Sequence, residues 1–145
     1  ISNVAIQLED GVSSVQIEKL TGNLSLWTAK QQYDAGEEIE VMVKGHNLRS
    51  VNAFSFALPY SQQEYEYEGV QPLNLKDMEN LTYDRLHTSG EKALYPTFVN
   101  IGDKVALNGN SDLCILKFKA KKKVKFNMKI KDGILVDKNL NVVSF

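Results

Sequence analysis

Apolar and polar residues alternate with a period of two through most of the chain, which predicts strands rather than helices. In Lys123-Val124-Lys125-Phe126-Asn127-Met128-Lys129-Ile130-Lys131 every even position is apolar and every odd one polar, so the segment predicts a strand with four apolar side chains on one face. The same pattern places Ile39, Val41 and Val43 inward along residues 38–44, and Phe54, Phe56 and Leu58 inward along residues 53–58. Residues 64–68 alternate with Tyr65 and Tyr67 inward and Glu64, Glu66 and Glu68 outward. Residues 113–120 point Cys114, Leu116 and Phe118 inward and leave Ile115, Lys117 and Lys119 outside.

Turn chemistry separates these runs: Ala35-Gly36, Lys44-Gly45-His46-Asn47, Ser89-Gly90, Ile101-Gly102-Asp103, Asn108-Gly109-Asn110 and Asp132-Gly133. Turn signals every 8 to 12 residues or so predict an all-β antiparallel β-sandwich. One short helix, a turn or two long, is expected within residues 74–80. Residues 1–23 read differently: Val4, Ile6 and Leu8 alternate, Asp10-Gly11 offers a turn, and Val15 and Ile17 alternate again. That is a hairpin on the sandwich edge or a segment between modules, which divides the chain into 1–23 and a sandwich over 24–145.

Composition narrows the function. Of 145 residues, 43% are hydrophobic and 24% charged, and 17 Lys+Arg against 18 Asp+Glu leave a net charge of -1. A globular core is affordable at this length without metal or disulfide. The balanced charge argues against a nucleic-acid partner and against a membrane surface, and no apolar run is long enough for a transmembrane helix. The single cysteine, Cys114, allows no internal disulfide. A chain that opens at Ile1 without an initiator Met is expected to be a piece of a longer polypeptide.

Reactive constellations are sparse. His46, His87 and Cys114 have no mutual spacing that suggests a metal site or a nucleophile with its base, and Cys114 is expected to be a buried, inert thiol. Neither metal nor cofactor is expected. Glu64, Glu66 and Glu68 share the solvent side of one strand, unlike a pair of glycosidase carboxylates facing each other across a cleft. Asp137-Lys138-Asn139-Leu140-Asn141 begins like a calcium loop, but Val142 stands where glycine is required, so a polar turn is expected. Asn23-Leu24-Ser25 and Asn80-Leu81-Thr82 match the glycosylation acceptor pattern. Eight of the 17 basic residues lie within residues 117–131. The reading taken is lysines that guard an edge strand, with an acidic partner surface as the alternative.

Four strings in order carry a resemblance to a known family: Tyr33-Asp34-Ala35-Gly36-Glu37-Glu38-Ile39-Glu40-Val41-Met42-Val43, Val51-Asn52-Ala53-Phe54-Ser55-Phe56-Ala57-Leu58-Pro59-Tyr60, Asn110-Ser111-Asp112-Leu113-Cys114-Ile115-Leu116-Lys117-Phe118-Lys119-Ala120, and Gly133-Ile134-Leu135-Val136-Asp137-Lys138-Asn139-Leu140-Asn141. From residue 24 onward the chain resembles a cohesin module of cellulosome scaffoldins and multimodular bacterial glycoside hydrolases. Residues 71–103 carry no signature of the family. The resemblance implies a jelly roll of about nine strands and a non-catalytic role, docking a helical dockerin-like partner or spacing neighbouring modules of the same chain. It also implies a monomer that is extracellular, periplasmic or at the cell surface. The host would be a glycoside hydrolase, such as a hexosaminidase, acting on N-acetylhexosamine or galactose glycans. Carried onto this chain, the docking face would hold Ser55, Ala57, Tyr95, Thr97, Ile115, Lys117 and Lys119. The alternative is a carbohydrate-binding module, which needs two or three exposed aromatic rings on one face; its candidates are Trp27, Tyr60, Tyr83 and Tyr95.

Overall fold

The computed structural model describes residues 23–75, 77–86, 91–102 and 105–145. The expected N-terminal hairpin over 1–23 lies outside the described residues except for Asn23. Twelve ladder segments follow: β1 (Asn23–Trp27), β2 (Gln32–Tyr33), β3 (Glu38–Ser61), β4 (Tyr65–Pro72), β5 (Met78–Asn80), β6 (Tyr83–Leu86), β7 (Glu91–Tyr95), β8 (Thr97–Asn100), β9 (Leu107–Ala120), β10 (Val124–Lys125), β11 (Lys131–Asp137) and β12 (Val142–Ser144). All described pairings are antiparallel. The fold is the expected all-β sandwich, in which one long sheet folds over on itself.

The fold-over happens within β3. Its first half pairs with β1 on one side and β9 on the other, with Leu26 and Leu116 opposite Val43 and Val41. Its second half pairs with β11 on one side and with β7 and β8 on the other. One layer is therefore β1, the first half of β3, β9 and β4; the other is β12, β11, the second half of β3, β7 with β8, and β6 with β5.

Two of the expected turns, Lys44-Gly45-His46-Asn47 and Asn108-Gly109-Asn110, are not chain reversals. They face each other as bulges in β3 and β9, where the register slips on both sides of the pair Leu48↔Gly109. Asn47, Ser50 and Gly109 take left-handed φ values of 53°, 50° and 76°, the conformations that made these strings read as turns. The amides that bulging frees are met by side chains: Asn110 Oδ1 accepts the Asn47 N–H at 2.8 Å and Asn108 Oδ1 accepts the Ser50 N–H at 2.9 Å. Leu48 closes over Gly45, where a Cβ would sit 2.6 Å from Leu48 Cδ1. Asp132-Gly133 likewise sits in a bulge of β11 rather than a turn, with Asp132 at φ 51°.

Ile39, Val41, Val43, Phe54, Phe56, Leu58, Tyr65, Cys114, Leu116 and Phe118 are all buried, as the alternation predicts. The two layers meet ring to ring, Tyr60 lying edge-on to Phe118 at 5.1 Å. Two expectations fail. Among the described residues of 74–80 there is no helix: the Leu75 carbonyl accepts the Met78 N–H at 2.9 Å, both side chains are buried, and the chain then enters β5. The three-residue spacing of Leu75 and Met78 gives the helical impression.

The lysine-rich segment is the second. Its alternation holds, with Val124 and Met128 in the core and Phe126 and Ile130 packed against it. Val124 and Lys125 pair with Tyr33 and Gln32, and Lys131 opens β11 opposite Ala57. Residues 126–130 join no ladder and cross from the layer of β9 to that of β11, so their apolar side plugs the gap between layers without a strand alongside. Tyr65 Oη donates to Asn127 Oδ1 at 3.0 Å and ties this crossing segment to β4.

Residues 137–141 form the expected polar turn. Asp137 Oδ1 accepts the N–H groups of Asn139 and Asn141 at 2.9 Å each, and Oδ2 accepts Asn141 Nδ2 at 3.1 Å. Those bonds, the Asn141 amide foremost, hold its carboxyl below the ordinary aspartate range.

Two outcomes are expected. Gly109→Ala forces a Cβ into left-handed geometry and should cost about 1 kcal/mol, read by urea unfolding, with Asn110→Ala costing a similar amount through the orphaned Asn47 amide. Since Asp137 has a lower pKa folded than unfolded, its stabilisation is complete above the unfolded value and is lost as pH falls through the folded one. Asp137→Asn should therefore shrink the loss of thermal stability between pH 6 and pH 3.

Candidate functional site

The second half of β3 runs through the middle of its layer, and its alternation fixes what the layer shows to solvent. With Phe54 and Leu58 inward, Ala53, Ser55, Ala57 and Pro59 face out. Across the ladders Ala53 pairs with Val99 and Val136, and Ser55 with Thr97 and Ile134. Ser55 and Thr97 are joined by a hydroxyl–hydroxyl hydrogen bond of 2.8 Å, and Thr97 Oγ1 also donates to the Tyr95 carbonyl at 3.0 Å. Tyr95 pairs with Tyr83 of β6, and the two rings stack with centroids 4.8 Å apart and planes 16° from parallel.

The result is a flat face of small and β-branched side chains with a tyrosine stack at one side. Ile134 is 38% exposed and Tyr83 51%. Ala57 is buried at 8%, against the expectation that it faces solvent freely. It lies at the floor of a shallow depression of about 290 Å³ with Pro59, Ala93 and Tyr95, where Lys131 and Lys92 stand at the rim.

Ser55, Ala57, Tyr95 and Thr97 are thus brought together, but Ile115, Lys117 and Lys119 are not. Those three belong to β9 in the other layer, with Ile115 opposite Met42 and Gln71, and Lys117 opposite Glu40 and Gly69. All three are half-buried, being on a strand with neighbours on both sides. Lys119 Nζ approaches Glu68 at 3.8 Å and Glu38 at 3.9 Å. Alternation reports which side of its own strand a residue occupies; it does not report which layer the strand joins.

The residues missed by sequence are Ala53, Val99, Ile134 and Val136. The run Gly133-Ile134-Leu135-Val136 is apolar throughout, so period two gives it no direction, and only the pairing of Leu135 with inward Phe54 assigns it.

The aromatic candidates for sugar binding are dispersed. Trp27 is 52% exposed, on the outer side of the β1 layer, with Lys44 Nζ 5.9 Å from its ring centre. Tyr83 and Tyr95 lie outside the opposite layer and cover one face of each other. Tyr60 is buried at 5%, contrary to the expectation of an exposed ring: its hydroxyl donates to both carboxylate oxygens of Asp84, at 2.9 and 2.8 Å, and Lys92 Nζ lies 2.7 Å from Asp84 Oδ2. Burial, then the Asp84 hydrogen bond, pushes the Tyr60 phenol far above its ordinary range.

The reactive side chains lie apart. Cys114 is fully buried and desolvation pushes its thiol up to about 12. His46 Nε2 lies 2.7 Å from Ser25 Oγ on the outer side of the β1 layer, and His87 is outside the described residues. Among the described residues no group of three His, Cys, Asp or Glu could hold a metal ion. Glu68 is raised above the ordinary glutamate range, chiefly by its hydrogen bond with Glu38.

No protein-family model and no curated protein matches the chain. Solved structures do. A cohesin module from a family 33 glycoside hydrolase of Clostridium perfringens superposes with a TM-score of 0.68 over 86% of this chain and 90% of that one, at 12% identity. The sixth cohesin of scaffoldin B from Acetivibrio cellulolyticus gives 0.63 over 85% and 91%, at 15% identity. A non-cellulosomal cohesin from the archaeon Archaeoglobus fulgidus gives 0.58 over 83% and 82%, at 18% identity. Setting aside the two-residue β2 and β10, taking β5 with β6 and β7 with β8 as single broken strands, and counting bent β3 as two, the described residues hold the nine strands expected. It has a cohesin-like fold.

Proposed function

We propose that the chain is a non-catalytic docking module of a larger secreted or surface-bound glycoside hydrolase, and that the outer face of the β11–β3–β7/β8–β5/β6 layer receives a helical partner of the dockerin type. The observation that carries this reading is that face itself: flat, central to the layer, built from Ala53, Ser55, Thr97, Val99, Ile134 and Val136, and bordered by the Tyr83–Tyr95 stack. A helix laid across it would desolvate β-branched and small side chains at little entropic cost, with the tyrosines as rigid anchors. Similar cohesins were solved in complex with dockerins, and one is a module of a glycoside hydrolase. Inert Cys114 and the outward, solvated glutamates of β4 support a role without chemistry of its own.

The carbohydrate-binding alternative has weaker support, since Tyr60 is withdrawn into the core and Trp27 and the Tyr83–Tyr95 stack occupy opposite outer faces. Trp27 is the single tryptophan and reports on itself. Its emission should stay unchanged when soluble β-linked oligosaccharides are titrated in, and a saturable shift would restore the sugar reading.

The docking face is tested by calorimetry against a panel of purified type I and type II dockerin modules. At least one should bind, and Tyr83→Ala with Ile134→Asp should weaken it tenfold or more while the melting temperature stays within a few degrees. Lys117→Glu with Lys119→Glu, on the other layer, should leave affinity within twofold. Failure of every dockerin, or loss caused by the β9 pair instead, would overturn the assignment.

A further inference from the structure

The crossing segment carries a second surface, which meets the proposed docking face only at Lys131 opposite Ala57. Its inward side chains seal the core, so alternation sends Lys123, Lys125 and Lys129 outward, and all three are exposed. Lys122 and Lys131 extend the row at either end and are exposed as well. Neighbouring lysines are occupied: Lys119 approaches Glu38 and Glu68, and Lys121 Nζ donates to the Gln62 carbonyl at 2.6 Å. None of the five lysines of the row has a carboxylate of the described residues within ion-pair distance.

The carboxylates nearest the row along the chain and its contacts are Asp34, one step beyond the register pair Val124↔Tyr33, Glu64, which accepts Asn127 Nδ2 at 3.5 Å, Asp132 beside Lys131, and Glu91, which lines the same depression as Lys131. Four carboxylates do not balance five ammonium groups. Because the whole chain carries a net charge of -1, the excess is local.

We propose that this row binds a linear polyanion, a chain of phosphodiesters or of uronate carboxylates. In an extended backbone alternate side chains recur about every 7 Å on one side, so Lys123, Lys125, Lys129 and Lys131 spread over roughly 26 Å, with the neutral Asn127 between Lys125 and Lys129. That arrangement suits a polymer with charge repeated along its length better than a single compact anion. An edge guard works through any charge or a proline, whereas every charged residue from 121 to 131 is a lysine. Nucleic-acid bases find no stacking partner here, as Phe126 is packed against the core. The ammonium groups of lysine act as point charges, so recognition would follow charge density and give way to salt.

Binding is measured with two probes, polyglycerol phosphate and polygalacturonate, from 20 to 300 mM NaCl. The protein should bind at least one at low salt, with log Kd rising linearly in log salt at a slope near 3, as expected when several cations displace condensed counterions. Which polymer binds more tightly assigns phosphate or carboxylate. Lys123→Glu, Lys125→Glu and Lys129→Glu together should abolish retention. A control triple at the opposite end of the sandwich, Lys44→Glu, Arg49→Glu and Lys138→Glu, makes the same change in net charge and should retain the polymer; both are checked by thermal melts. No binding to either polymer at 20 mM NaCl would overturn the proposal, and so would equal losses in the two triples. Dockerin affinity should be unaltered in the first triple, so this surface and the docking face can fail independently.

Discussion

The bend shared by β3 and β9 is the constraint on which the rest of this molecule depends. A strand of 24 residues can serve two layers only if it turns a corner, and a corner in a ladder strands backbone amides away from their partners. Asn108 and Asn110 supply the missing acceptors from β9 to β3, and Gly109 supplies the left-handed backbone opposite Leu48. Leu48 then folds over Gly45 into the core. With the corner fixed, the two halves of β3 are held face to face, and Tyr60 meets Phe118 of β9 and Tyr65 of β4 edge-on.

The same corner decides which surfaces exist. It sends the second half of β3 to the centre of its own layer, flanked on both sides, so the outward positions around Ser55 form part of a continuous face rather than an edge. Ile134 and Val136 join that face from β11, Thr97 and Val99 from β8, and the tyrosine stack closes its border. On the other layer, paired charges such as Lys119 with Glu38 and Glu68 cover β9 and β4, and Lys44 pairs with Asp112 beside Trp27. One sandwich thus presents two outer faces of different character.

The crossing segment solves a separate problem. The two layers leave an opening beside Tyr33 and Tyr65, and an extended stretch with an apolar residue at every second position fills it without needing a full ladder. Its outward positions are then free of packing demands, which is where the lysines accumulate.

Much of this was legible in the sequence because period two is a local property. Whether Val41, Phe54, Leu116 or Met128 faces the core follows from its neighbours two residues away, and each is buried. The same locality limits what could be read. Lys44-Gly45-His46-Asn47 and Asn108-Gly109-Asn110 announce left-handed backbone, but whether that backbone reverses the chain or bulges it depends on a partner some 60 residues distant. Tyr60 is among the aromatics expected at the surface, yet it continues the inward parity of Phe54, Phe56 and Leu58, and its hydroxyl donates to Asp84. The grouping of Ile115, Lys117 and Lys119 with Ser55 failed for a similar reason, since strand order is a long-range choice that no alternation encodes. The sequence by itself determined the class of fold and the inward side of its clearest strands, because side-chain direction in a strand is set residue by residue. Which residues share an outer face was decided only when the bend in β3 assigned each strand to a layer.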